Sequence, residues 1–171
     1  MGKTILKHIF WFIILVFFQV FILNQVKFSG YITPYAYIFF ILLLPFNVPK
    51  TTLLISAFFL GLSVDLFLDS PGMHASASVF MAFLRPAIIN LISIKTDFEE
   101  DEEPSIRNNG IKWIASYSIL LVFIHHTFLF FVEIFSLSEF WKTMGRSISS
   151  SAVTFVIIII LFFLFGKLSK K

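Results

Sequence analysis

The sequence predicts an all-α integral membrane protein with six transmembrane helices and both termini in the cytoplasm. Three observations predict it. The first is composition: of 171 residues, 58% are hydrophobic and only 13% charged, against about 45–50% and about 25% in soluble domains. The second is a set of six long apolar stretches. The third is the uneven placement of Lys and Arg along the chain. Mean hydropathy is +0.92, and the 25 Phe residues exceed what one water-soluble core needs. Disorder is excluded because it requires low hydrophobicity. There is no Cys, so disulfides, thiolate catalysis and Cys-based metal sites are excluded.

A helix needs roughly 20 apolar residues to cross a ~30 Å hydrocarbon core. In lipid, helix is the natural state of such a run, because it satisfies the backbone internally. The first span is expected at Ile5–Leu23. Lys3 and Lys7 precede it, as in a secretory signal. The apolar run is too long for a signal core and no A-x-A-like site follows, so a retained span is expected. The second is expected at Tyr31–Phe46, short and with ends blurred by Pro34 and Pro45. The others are Thr51–Leu68, Met73–Ile94, Ile111–Phe135 and Ile148–Phe165. Residues 1–171 then form a single transmembrane domain, with no internal repeat.

Basic residues set the orientation. With the N-terminus inside, Lys3, Lys7, Lys50, Lys95, Arg107, Lys112, Lys167, Lys170 and Lys171 are cytoplasmic. Lys27, Lys142 and Arg146 are outside, and Arg85 lies within a span. This is the bias of the positive-inside rule, and it explains the net charge of +3 without nucleic acid. Trp11 and Trp113 fall near the inner interface and Trp141 in the last outer loop, as aromatic belts do. Leu137–Arg146 reads as a short interfacial helix. The loop acids Asp97, Glu99, Glu100, Asp101, Glu102 and Glu103 read as a solvated linker, or as a dock for a basic partner segment.

Charges inside a span cost roughly 2.5–3.5 kcal/mol each on insertion scales, so each needs a reason. Asp65 lies about one turn from the outer end of the third span. Asp69-Ser70-Pro71-Gly72 is a tight turn, and His74 opens the fourth span. Arg85 follows roughly 18 Å deeper. Asp65 and Arg85 differ in depth by roughly 11 Å, and their side chains lean toward each other, so a buried pair is expected. The alternatives are that Asp65 caps the turn while Arg85 snorkels, or that His125 or Glu133 is the partner of Arg85. Pro86 frees helix carbonyls that Arg85 could take up. Ala57 and Gly61 on the third span, and Ala75, Ser78 and Ala82 on the fourth, predict a closely packed hairpin. Gln19, Asn24, Gln25, His125, His126 and Glu133 add polarity toward the outer half, as polar packing between helices or the lining of a shallow cavity. His125 and His126 face different sides of one helix, so a metal site is not expected.

No hydrolase, metalloprotease, P-loop or dinucleotide motif is present, and neither enzymatic activity nor a cofactor is expected. The motif G-L-x-x-D-L-F at Gly61–Phe67, followed by P-G-M-H-A at Pro71–Ala75, resembles the bacterial rod shape-determining MreD family. The run D-L-F-L-D-S-P-G-M-H-A-S-A-S-V-F and the later F-L-R-P are similar to Bacteroidetes-type versions. The specific likeness is confined to residues 61–86. It implies a non-enzymatic scaffold in the bacterial inner membrane, supporting cell shape and peptidoglycan synthesis. It implies binding to MreC, and work alongside MreB, RodA and a class B penicillin-binding transpeptidase. It also implies a fold similar to the S component of energy-coupling factor transporters. The residues implied to matter, as a partner-binding or structural polar site, are Gly61, Asp65, Pro71, Gly72 and His74. Asp69 sits in the same turn, and Arg85 matches only the Bacteroidetes-type pattern. The alternative function is a vitamin-binding S component itself. Such components carry A-x-x-x-A in the first helix, whereas Ile5–Leu23 contains neither Ala nor Gly.

Overall fold

The computed structural model describes residues 2–25, 31–93, 98 and 102–165. The expectations for Lys27, Lys95, Asp97, Glu99, Glu100, Asp101, Lys167, Lys170 and Lys171 lie outside the described residues.

The chain is helical: α1 is Gly2–Phe21, α2 Phe39–Leu43, α3 Lys50–Leu68, α4 Met73–Ile92, α5 Ile106–Asn109, α6 Ile111–Ile134 and α7 Phe140–Phe165. Five of these helices are long and apolar enough to cross a membrane. Their outward faces carry exposed Phe, Ile and Leu, among them Phe10, Phe17, Phe59, Phe83 and Phe163, as lipid-facing surfaces do.

The stretch expected as the second span is not a long helix. A 3-10 turn at Ala36–Ile38 leads into the five-residue α2, with non-helical backbone on either side. The cause is local. Pro34 and Pro45 each lack a donor N–H, and the residue before a proline is pushed to extended backbone. Leu44 accordingly has φ −59° and ψ 146°. The stretch is nonetheless the centre of the core, with Ala36 through Leu44 all buried. It runs from one end of the bundle to the other. At one end Tyr31 Oη donates to the Lys142 carbonyl at 2.6 Å. At the opposite end Phe46 N–H donates to the Glu102 carbonyl at 2.9 Å. Irregular backbone is tolerated in an apolar protein only where protein surrounds it and supplies partners.

α3 and α4 form a tight hairpin. Gly61 is the reason they approach so closely: a Cβ there would lie 2.5 Å from the Ala75 backbone N and Cα, and would also strike the His74 carbonyl. Ala57, Ala75, Ser78 and Ala82 are buried along the same faces.

The last helix also differs from expectation. Leu137–Arg146 is not a separate interfacial helix, because α7 runs unbroken for 26 residues from Phe140. Its polar first half contains no proline, and Thr143, Ser147 and Ser149 bond the carbonyls of Glu139, Thr143 and Gly145 one turn back. Trp141 is well exposed near its start. Trp11 is buried against Phe39 and Phe165, and Trp113 donates to Ser93 Oγ at 3.1 Å.

Candidate functional site: two polar layers around a broken segment

The first layer lies at the α3–α4 turn. α3 stops because Asp69 adopts the left-handed conformation, φ 51°, with its N–H on the Asp65 carbonyl. Gly72, at φ 77°, immediately precedes α4, a conformation that glycine adopts without penalty. Asp69, Pro71 and Gly72 are exposed in the turn, and Gly72 also borders an apolar groove between α3 and α4.

Asp65 is buried and reaches across this turn. Its Oδ1 accepts from His74 N–H at 3.0 Å and from Ser70 Oγ at 2.8 Å. Its Oδ2 accepts from Ala75 N–H at 2.9 Å. The His74 ring closes the set, with Nδ1 3.0 Å from Oδ1. A carboxylate on α3 therefore caps the first amides of α4, where the helix dipole also favours a negative charge. Hydrogen bonds to a charged group are worth about 1.5–3 kcal/mol each. Asp65, Asp69, Gly72 and His74 thus meet at one turn, Gly61 brings α3 against the start of α4, and Pro71 is exposed in the turn.

Arg85 is not among them, and the expected Asp65–Arg85 pair does not form. Arg85 lies further along α4, fully buried, at the far end of the broken segment. Its Nε donates to Tyr117 Oη at 2.7 Å and Nη1 to the Pro45 carbonyl at 3.2 Å, while Nη2 bonds the Leu44 carbonyl. Tyr117 Oη in turn donates to the Leu42 carbonyl at 3.3 Å. The physical reason for the correction is that both charges found helix ends instead of each other. Asp65 takes the free amides of α4, and Arg85 takes the free carbonyls where α2 stops. These carbonyls belong to Leu44 and Pro45, not to the turn of α4 before Pro86. Nor do His125 and Glu133 reach Arg85: His125 Nε2 lies 2.8 Å from Tyr37 Oη, and Glu133 pairs with Arg146 at 3.0 Å.

The start of the broken segment is held as fully as its end. Gln19 of α1, completely buried, accepts from Ala36 N–H at 2.8 Å and donates to the Pro34 carbonyl at 3.1 Å and to Asn24 at 2.9 Å. Ser150 and Thr154 of α7 accept from Thr33 N–H at 3.1 Å and Tyr35 N–H at 3.0 Å. Thr154 Oγ1 also meets His126 Nε2 at 3.0 Å, and His126 Nδ1 lies 2.9 Å from the Val122 carbonyl. A carbonyl only accepts, so Nδ1 carries the proton and Nε2 accepts from Thr154. His126 is therefore a satisfied structural histidine.

No family model, curated protein or solved structure matches this chain.

Among the described residues no group of three or more His, Asp or Glu side chains is arranged to hold a metal ion. The acidic loop contributes Glu103, which pairs with Lys7 and lies 3.4 Å from His8 of α1. That carboxylate is engaged within the chain, not offered to a partner. Sequence reasoning did not single out Tyr35, Tyr37, Tyr117, Ser150 or Thr154. Their signal was indirect: two prolines in a supposed span leave backbone groups that some side chain must satisfy. On the surface, an apolar groove of about 620 Å³ runs between α3 and α4, bounded by Phe58, Leu62, Val79, Phe83 and Phe128.

Proposed function

We propose that the chain is a non-catalytic, multi-pass scaffold of the bacterial inner membrane, an MreD-like member of the cell-wall elongation machinery that binds MreC. Working alongside MreB, RodA and a class B penicillin-binding transpeptidase, it would support cell shape and peptidoglycan synthesis. One observation carries this reading. The residues that make the family-like motif, Gly61, Asp65, Gly72 and His74, are spent on building one rigid turn. A motif used in this way serves the shape of a surface: even the Ser70 hydroxyl beside His74 is held on the Asp65 carboxylate within the turn.

The same reading includes topology. Residues 31–46 count as a crossing even though α2 is short, because they run from one end of the bundle to the other. With five long helices this makes six crossings, an even number that puts both termini on one side. The basic residues favour the cytoplasm for that side. The α3–α4 turn then faces outward, where the large domain of MreC would lie.

The test is co-purification from native bacterial membranes, with partners identified by mass spectrometry. MreC and elongation enzymes are expected. Recovery instead with an ATPase and a transport subunit would replace this reading with the solute-binding S component.

A further inference from the structure

Three buried polar atoms near the α3–α4 turn have no hydrogen-bond partner among the described residues: His74 Nε2, Ser78 Oγ and His125 Nδ1. None of the three residues is more than 4% exposed. Their chemistry is constrained. His74 Nδ1 faces the Asp65 carboxylate at 3.0 Å. A carboxylate only accepts, so Nδ1 bears the proton, and in the neutral imidazole Nε2 is then an acceptor. Ser78 stands one turn further along the same face of α4. His125, on α6, commits Nε2 to Tyr37 Oη at 2.8 Å, which leaves Nδ1 as a donor or an acceptor according to which partner holds that proton.

The same two tyrosine rings flank both histidines. Tyr35 lies 5.2 Å from the His74 ring and 6.1 Å from the His125 ring, centroid to centroid. Tyr37 lies 5.9 Å and 5.5 Å from them. The orphaned atoms therefore belong to one neighbourhood, where α4, α6 and the broken segment meet.

Buried polar groups are nearly always satisfied, by protein or by ordered water. A guest here must donate to His74 Nε2, must exchange hydrogen bonds with a hydroxyl, and must suit either tautomer of His125. Among the described residues no group of three or more His, Asp or Glu is arranged to hold a metal ion, and an acyl chain offers no hydrogen bond. Water meets all three, and buried waters typically make about three hydrogen bonds.

We propose that His74 Nε2, Ser78 Oγ and His125 Nδ1 form a binding site for internal water, which joins the Asp65–His74 pair of the hairpin to Tyr37 and His125 in one hydrogen-bonded network. This holds whether or not the chain is a cell-wall scaffold.

The neighbouring side chains supply matched controls. His126 is as buried as His125, but both of its nitrogens are engaged. Tyr117 is as buried as Tyr37, and its hydroxyl is taken by Arg85 and the Leu42 carbonyl. X-ray hydroxyl-radical footprinting of the protein in lipid nanodiscs, in ¹⁸O-labelled water, oxidises buried side chains that touch bound water. His125 and Tyr37 are expected to be labelled several-fold faster than His126 and Tyr117. In Ser78→Ala the rate at His125 is expected to fall toward that of His126. Equal rates within each matched pair of the wild-type protein would overturn the proposal. So would native mass spectrometry of the same sample showing a bound organic molecule at this site.

Discussion

Gly61→Ala isolates the contact on which the α3–α4 hairpin depends. The added Cβ would stand 2.5 Å from both N and Cα of Ala75, and close to the His74 carbonyl. All of these are backbone atoms at the start of α4, so no side chain can swing aside. An ordinary contact needs about 1 Å more, which separates the helices and lengthens the Asp65 bonds to His74 N–H and Ala75 N–H. Overpacking of a tight core costs about 1–3 kcal/mol. Against it stands the better helix propensity of Ala, about 1 kcal/mol. The clash wins because it also weakens the cap, and a net loss of about 1–2 kcal/mol is expected. Gly145→Ala is the matched control: it sits inside α7, and its Cβ would meet only the Tyr31 hydroxyl at 3.5 Å. That variant is expected to be unchanged or up to about 1 kcal/mol more stable. Reversible unfolding in detergent micelles, followed by far-UV circular dichroism, measures both. Gly61→Ala as stable as Gly145→Ala would refute the close-approach argument.

Other perturbations test the remaining clamps. Arg85→Lys keeps the charge but not the fork, leaving one of the Leu44 and Pro45 carbonyls without a donor; a loss of about 1–3 kcal/mol is expected in the same unfolding assay. Thr154→Val keeps shape but removes the acceptor for Tyr35 N–H and the donor to His126, so about 1–3 kcal/mol should again be lost. The ring ¹⁵N shift of His126 should move with it, and an unchanged shift would contradict the assignment. Glu103→Gln weakens the contacts of a buried carboxylate with Lys7 and His8 and should cost about 1–3 kcal/mol.

Much of this architecture was legible from hydropathy and turn chemistry. α3, α4 and α6 begin and end close to where apolar length and the Asp69–Gly72 turn place them. The broken segment was not legible. Hydropathy reads Phe39, Ile41 and Leu42 as it would any lipid-facing residues, yet all three are fully buried by protein. Only the prolines at 34 and 45 distinguish a core strap from a helix in lipid. The front of α7 misled for the opposite reason. Leu137–Arg146 reads as a separate interfacial helix before a span at Ile148, but the hydroxyls of Thr143, Ser147 and Ser149 bond helix carbonyls and let one helix run through.

Arg85 and Asp65 show why the polar site was read only in part. Looking for counter-ions among side chains overlooks unpaired backbone amides and carbonyls, which carry partial charges of their own. In an apolar core such groups are counter-charges as close as any side chain. The first amides of α4 took the carboxylate and the loose carbonyls just past α2 took the guanidinium, so the two side chains share no partner. A double-mutant cycle separates the two arrangements. A direct buried pair would give Asp65→Asn and Arg85→Gln a coupling energy of about 0.5–3 kcal/mol, since losing one partner makes losing the other cheaper. Independent caps at two helix ends predict losses that add to within about 0.5 kcal/mol, each single variant costing about 1–3 kcal/mol. Measured coupling above 1 kcal/mol would restore the pair and remove the reason for treating the hairpin turn and the Arg85 clamp as separate layers.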